Sequence, residues 1–174
     1  VERAALKDIS PVPWQTCTSI SKNSWGYTEN NKFKSAYHVI CDLIDIVSKN
    51  GVMLLNVGPK PDGTITDEET AVLNEIGDWL KTNGEGIYDT VPWKTFGEGK
   101  VNTKDGSFKD NKTKKYTEKD FRFTYKDGAV YAFQMKPTHD GVIRIKNFKK
   151  ITQDAIVYSV KLLGNHSPII ISRT

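Results

Sequence analysis

Three stretches, 1–8, 21–31 and 58–65, combine polar residues with glycine or proline at points where apolar segments end. Glu2, beside Arg3, carries a carboxyl group that serves as a general acid if burial or a second carboxylate raises its pKa. Otherwise a glutamate near a chain end is a solvated surface residue. Trp25, between Ser24 and Gly26, offers a flat apolar face of the kind that packs on a sugar ring; the alternative is a loop aromatic tucked against the core. The histidines His38, His139 and His166 fall in separate elements, so no Ser-His-Asp arrangement is assembled, and all three are read as structural or exposed. Asp62-Gly63 matches only the start of a calcium loop. No carboxylates follow at alternate positions, and a type I or II turn explains it better. Cys17 and Cys41 form no CxxC and join no His/Cys cluster, so packing is their expected role and neither metal nor cofactor is called for. The triplets Asn111-Lys112-Thr113 and Asn165-His166-Ser167 fit the glycosylation pattern, which arises often by chance.

The elements that must position Glu2 and Trp25 are legible in the periodicity. Residues 14–20 read as a short strand. Ser35 is a suitable N-cap, and Ala36, Val39, Ile40, Leu43, Ile44 and Val47 repeat at helical spacing before Gly51 ends the helix. The apolar run Val52 to Val57, without polar alternation until Asn56, suits a strand covered on both faces, as in parallel α/β sheets. It enters a Gly/Pro/Asp-rich turn at 58–65. Thr66 with Glu69 then forms a capping box, and Val72, Leu73, Ile76, Trp79 and Leu80 predict a second amphipathic helix ending near Asn83-Gly84. Strand, helix, strand, helix is a βα pattern whose active end lies where the strands finish.

From about Val91 the pattern changes. Residues 120–125 and 129–135 flank Lys126-Asp127-Gly128, a hairpin signature in which Asp-Gly supplies positive φ angles. Further strands are expected at 142–145, 156–162 and 169–172, which makes this half an antiparallel sandwich. The stretch 97–117 reads as a long exposed loop. Charge divides the chain at the same place: residues 1–90 carry eight Lys and Arg against thirteen Asp and Glu, residues 91–174 seventeen against eight. The basic half lacks interleaved aromatics or a recognition helix, so nucleic acid is not an expected partner. No apolar run reaches the roughly 18 residues of a membrane span, and no membrane partner is expected. The chain opens on Val1-Glu2-Arg3 with no initiator Met or leader, so its natural start is expected upstream. Two βα units cannot close an eight-stranded barrel. Missing strands are therefore expected, and without them the stripe of the 36–47 helix and the edge of the 52–57 strand would face water.

The motifs 13–20 (PWQTCTSI), 24–27 (SWGY), 45–51 (DIVSKNG), 54–59 (LLNVGP) and 62–65 (DGTI), with Trp79-Leu80, Asn83-Gly84-Glu85 and Ile87-Tyr88, resemble the α-L-fucosidases of glycoside hydrolase family 29. The resemblance spans residues 1 to about 93, continues more loosely through Asp120 to Phe133 and then fades. It implies the end of a (β/α)8-like catalytic barrel at 1–92 and a β-sandwich domain at 93–174, incomplete at its C-terminal end. It also implies retaining hydrolysis of terminal α-L-fucose by two carboxyl groups about 5 to 5.5 Å apart. The family's acid/base glutamate lies a dozen or so residues before the Trp of the next strand, which matches Glu2 before Trp14. Trp25 matches the aromatic that packs on the C5 methyl of fucose, and no segment matches the nucleophile. Fucosylated glycans or glycosides and the N-terminal barrel portion of the same protein are the implied partners. A homo-oligomer stays open, and the resemblance implies a secreted, periplasmic or lysosomal setting. The alternative is a non-catalytic carbohydrate-binding or interaction module in which Trp93, Tyr116, Tyr125 and Tyr131 line a sugar platform.

Overall fold

The computed structural model describes residues 1–103, 110, 114–148, 159–165, 167 and 169–172. β1 (Trp14–Ser19) pairs in parallel with β2 (Gly51–Asn56), in the register Trp14 to Gly51 through Ser19 to Asn56. Between them runs α1 (Ala36–Val47), and after β2 comes α2 (Asp67–Asn83), followed by a 3-10 turn at Gly84–Gly86. The expected βαβα order is thus present. Ser35 caps α1 by accepting the His38 N–H, and Thr66 caps α2 by accepting that of Glu69.

The helix end differs from expectation in mechanism. Asn50, not Gly51, takes the left-handed conformation (φ 72°), while Gly51 already begins β2. Glycine is needed there for space: a Cβ would lie 2.5 Å from the Trp14 ring and 2.7 Å from Ile46. Gly51→Ala should therefore cost about 1–3 kcal/mol through overpacking, read as a lower urea midpoint at unchanged slope.

The apolar stripes of α1 and α2 meet β2 on one face: Ala36, Val39 and Ile76 are buried against Met53, Leu55, Val72 and Leu80. Full burial of a side chain the size of Val39 or Ile76 contributes about 1.5–3 kcal/mol relative to exposure. So the α1 stripe does not lie in water. β2, however, is not covered on both faces. Val52 is 57% exposed and Leu54 56%, because alternation turns them away from the helices and no described residue covers them.

β3 (Val91–Glu98), β4 (Phe121–Lys126) and β5 (Ala129–Gln134) form an antiparallel sheet in that order. Asp127 (φ 50°) and Gly128 (φ 85°) make the expected hairpin turn. β3 has no strand signature in the sequence: its Pro92, Lys94 and Gly97 break the apolar alternation, and its register with β4 shifts between Pro92 and Gly97. One core lies within the sheet, with Trp93, Phe121 and Phe123 buried. Another ties the sheet to the helices, through Cys41, Ile44, Ile87, Tyr116, Phe133 and Met135.

Residues 142–145, 159–162 and 169–172 run without strand pairing; 156–158 of the expected strands lie outside the described residues. At 142–145 local bonds replace a ladder. Asp140 accepts the Val142 N–H at 2.9 Å and pairs with Arg144, leaving Val142 and Ile143 about half exposed. The stretch 97–117 is not simply an exposed loop. Thr103 and Tyr116 are buried, and Val101, Asp110 and Lys114 are half-buried against the helical part. Trp93 and Tyr116, both buried, are withdrawn from any sugar platform; Tyr131 donates to Glu85, and Tyr125 stays 38% exposed.

His38 is buried, with Nε2 3.3 Å from Asp42 one turn on, and His139 is exposed; His166 and Asn111-Lys112-Thr113 lie outside the described residues. Asp62-Gly63 forms a turn in which Asp62 accepts from the Thr64 backbone and hydroxyl. Both cysteines are free thiols.

Candidate active site

The face of the β1–β2 pair that bears Val52 and Leu54 also bears Glu2. Residues 1–3 run beside β1: Glu2 pairs in parallel with Cys17, the Arg3 N–H donates to the Cys17 carbonyl at 2.8 Å, and the Cys17 N–H donates to the Val1 carbonyl. Parallel partners point to the same side, so Glu2, Cys17 and Leu54 form one row across three chain segments. The row opens into a recess lined by Glu2, Cys17, Trp25, Leu54, Leu55, Asn56 and Val57. The two residues singled out in the sequence, Glu2 and Trp25, thus lie on one recess, at the C-terminal end of the strands. Glu2 is exposed there.

Trp25 is held from below by the β2 end. Asn56 Nδ2 donates to the Trp25 carbonyl at 2.6 Å. Gly58 lies so close to the Trp25 loop that a Cβ would come within 2.9 Å of the Gly26 backbone. The Gly58 N–H donates at 3.0 Å to Glu69, a fully buried carboxylate in the first turn of α2. The capping box is therefore half formed, since the Glu69 carboxylate serves Gly58 and the Thr66 hydroxyl. The motif at 54–59 supports the site by fixing the tryptophan loop. Trp25 remains 37% exposed toward the recess.

Arg3 escaped notice in the sequence. Its guanidinium lies 5.1 Å from the Trp25 ring centroid, its Nη2 donates to the carbonyls of Ser21 (3.0 Å) and Lys22 (2.8 Å), and its Nε lies 3.2 Å from both Asp110 carboxylate oxygens. Asp110 also accepts from Lys34 Nζ at 2.6 Å and from the Thr18 hydroxyl. Burial works against the Asp110 charge, but Lys34, Thr18 and Arg3 outweigh it and hold the carboxyl below its usual range. At Lys34 burial prevails and lowers the ammonium's pKa. No signal short of the fold joins residue 110 to residue 3. Among the described residues no group of three or more His, Cys, Asp or Glu is placed to hold a metal.

Parallel strands here alternate with helices and end in a recess that presents a carboxylate and an exposed tryptophan, the end of such a sheet at which chemistry sits in barrels. Residues 1–85 match the sequence model of the Alpha-L-fucosidase family, and this part of the chain belongs to it. The chain is 34% identical over 139 residues to the tissue alpha-L-fucosidase of Rattus norvegicus, an overlap of 78% of this chain and 26% of that one. It is 32% identical over 164 residues to the plasma alpha-L-fucosidase of Homo sapiens, covering 92% of this chain and 31% of the relative. Similarity thus runs further into the second half than the sequence motifs indicate. The crystal structure of Thermotoga maritima alpha-fucosidase in complex with fucose superposes with a TM-score of 0.56 at 32% identity, over 70% of this chain and 25% of that one. The chain spans about a quarter to a third of the length of these relatives.

Proposed function

We propose that this chain is part of a retaining exo-α-L-fucosidase that hydrolyses terminal α-L-fucose from fucosylated glycans or glycosides. Residues 1–92 supply the last two βα units of a (β/α)8-like barrel, and 93–174 a β-sandwich domain, the boundary falling after the first two residues of β3. Glu2 is the general acid/base, Trp25 the wall against the C5 methyl of fucose. The observation that carries this reading is the convergence of Glu2 and Trp25 on one recess beside the bare apolar row of Val52 and Leu54. Barrel strands preceding Val1 in the complete protein would cover that row and bring the nucleophilic carboxylate.

In the reaction, Glu2 protonates the glycosidic oxygen as the nucleophile attacks the anomeric carbon. It then takes a proton from the water that resolves the glycosyl-enzyme intermediate, with net retention. Packing of Trp25 on the methyl favours a 6-deoxy sugar over its hydroxylated analogue by about 1–3 kcal/mol.

The reading is tested by comparing the 174-residue chain with the complete polypeptide on an aryl α-L-fucoside. The complete protein is expected to turn it over and the short chain to be inert, for want of the nucleophile. Wild-type-like rates from the short chain, or none from the complete protein, would overturn it.

A further inference from the structure

We propose that Arg3 is a positioning residue of this site, one that locks Glu2 and Trp25 into a single frame and is itself anchored by Asp110; the proposal rests on the fucosidase reading above. Arg3 joins the two functional groups by separate parts of its structure. Its backbone N–H, directly after Glu2, is pinned to Cys17 of β1, and its φ of 48° places a non-glycine residue in the sparsely occupied left-handed region. Such a conformation persists only where the surroundings over-determine it, and it concentrates at functional sites. Its side chain, only 6% exposed, carries the frame onward: Nη2 ties down the carbonyls of Ser21 and Lys22, which lead into the Trp25 loop, and the guanidinium carbon sits over the Trp25 ring.

Those contacts use separate guanidinium nitrogens, Nε toward Asp110 and Nη2 toward two carbonyls, while the charge sits over the indole, a combination that a lysine ammonium cannot reproduce. Both oxygens of the Asp110 carboxylate lie 3.2 Å from Arg3 Nε, and the carboxylate accepts in turn from Lys34 Nζ and the Thr18 hydroxyl. A residue far along the chain thereby sets where the guanidinium sits. Displacement of a catalytic group by about 1 Å can cost about a hundredfold in rate, so a loosened Arg3 should disturb proton transfer and methyl recognition at once.

The test is made in the complete enzyme with Arg3→Lys, Arg3→Met and Asp110→Asn. Each is expected to lower kcat/KM for an aryl α-L-fucoside, by about ten- to a hundredfold for the Arg3 variants and less for Asp110→Asn. The decisive readout is the ratio of kcat/KM for the α-L-fucoside to that for the α-L-galactoside, its 6-hydroxy analogue. It should fall about tenfold, together with a shifted limb of the pH profile, because the ratio does not depend on how much protein is folded. Wild-type ratio and pH profile in both Arg3 variants, with activity lost only in proportion to the folded fraction, would overturn the proposal. Glu2→Gln separates the two levels. If it leaves rates on poor leaving groups intact, the acid/base assignment falls; if it impairs them while the Arg3 variants keep their ratio, only the positioning role falls.

Discussion

Glu2→Gln in the complete enzyme is expected to slow hydrolysis of an alkyl α-L-fucoside by about 10²–10⁴-fold while sparing an activated aryl fucoside in its first step. The amide keeps the size of the carboxyl group but has no proton to deliver to the departing oxygen. An alkoxide of high pKa cannot leave without that proton, whereas a nitrophenolate can. Loss of the base should then make breakdown of the glycosyl-enzyme limiting for the activated substrate. Azide, which needs no deprotonation, should restore turnover and give a fucosyl azide of retained configuration. The loss corresponds to about 3–5 kcal/mol of transition-state stabilisation. Glu2 is exposed in the recess, and surface replacements usually change stability by no more than about 0.5 kcal/mol. Unfolding therefore cannot mimic the effect. Equal loss on both substrates, without azide rescue, would remove Glu2 from proton transfer.

What the sequence revealed and what it hid divide along the range of the interactions. α1, α2 and the β4–β5 hairpin follow from local signals: Ser35 and Thr66 as caps, helical spacing of apolar residues, and Asp127-Gly128 in a turn that demands positive φ. β3 was hidden because Pro92 and Gly97 interrupt its alternation, and its strand character comes from pairing with β4. Covering of β2 was inferred from a run of apolar residues, but such a run cannot say which residues supply the cover, and Val52 and Leu54 have none among those described. Of the recess, Glu2 and Trp25 are proposed from local motif and resemblance, and both line it. Arg3 and Asp110 are not legible in this way, since their meaning arises only when residues 3, 21, 22, 25 and 110 come together. The charge asymmetry suggested two separate domains. In the fold, Lys114 and Arg122 of the basic half close on Asp45 of the acidic half, so part of that asymmetry is a complementary contact.

That contact yields the largest expected effect on stability. Asp45, on α1, is fully buried and accepts from Lys49 Nζ (3.0 Å), Lys114 Nζ (3.2 Å), the Thr103 hydroxyl (2.7 Å) and Arg122 Nε (2.5 Å). Lys49 and Arg122 are buried with it, the latter packed against the rings of Phe96 and Tyr116. Burial opposes the Asp45 charge, but Lys114, Arg122, Lys49 and Thr103 outweigh it and hold the carboxyl far below its ordinary 3.8. Burial prevails at Lys49, which is pushed down to about 8 despite Asp45. Asp45→Asn leaves these cations uncompensated in the interior, and should cost about 3–5 kcal/mol, a large share of the roughly 5–15 kcal/mol that holds a typical domain together. The pH dependence has a definite sign. A carboxyl whose folded pKa is depressed contributes stability that is complete above its unfolded value and is lost as pH falls through and below about 4. Wild-type protein should therefore lose stability steeply on acidification below about pH 4, and Asp45→Asn should lack that component. Lys49 acts oppositely: its folded pKa lies below the unfolded 10.5, so the cost of its buried charge is complete below about pH 8 and is relieved between there and 10.5. Without Asp45 that relief should begin at lower pH, so the gap between variant and wild type should narrow on the alkaline side. Urea midpoints of both proteins from pH 2.5 to 10 measure these slopes, and parallel profiles separated by less than about 0.5 kcal/mol would mean that the cluster contributes little to the joint between α1 and β4.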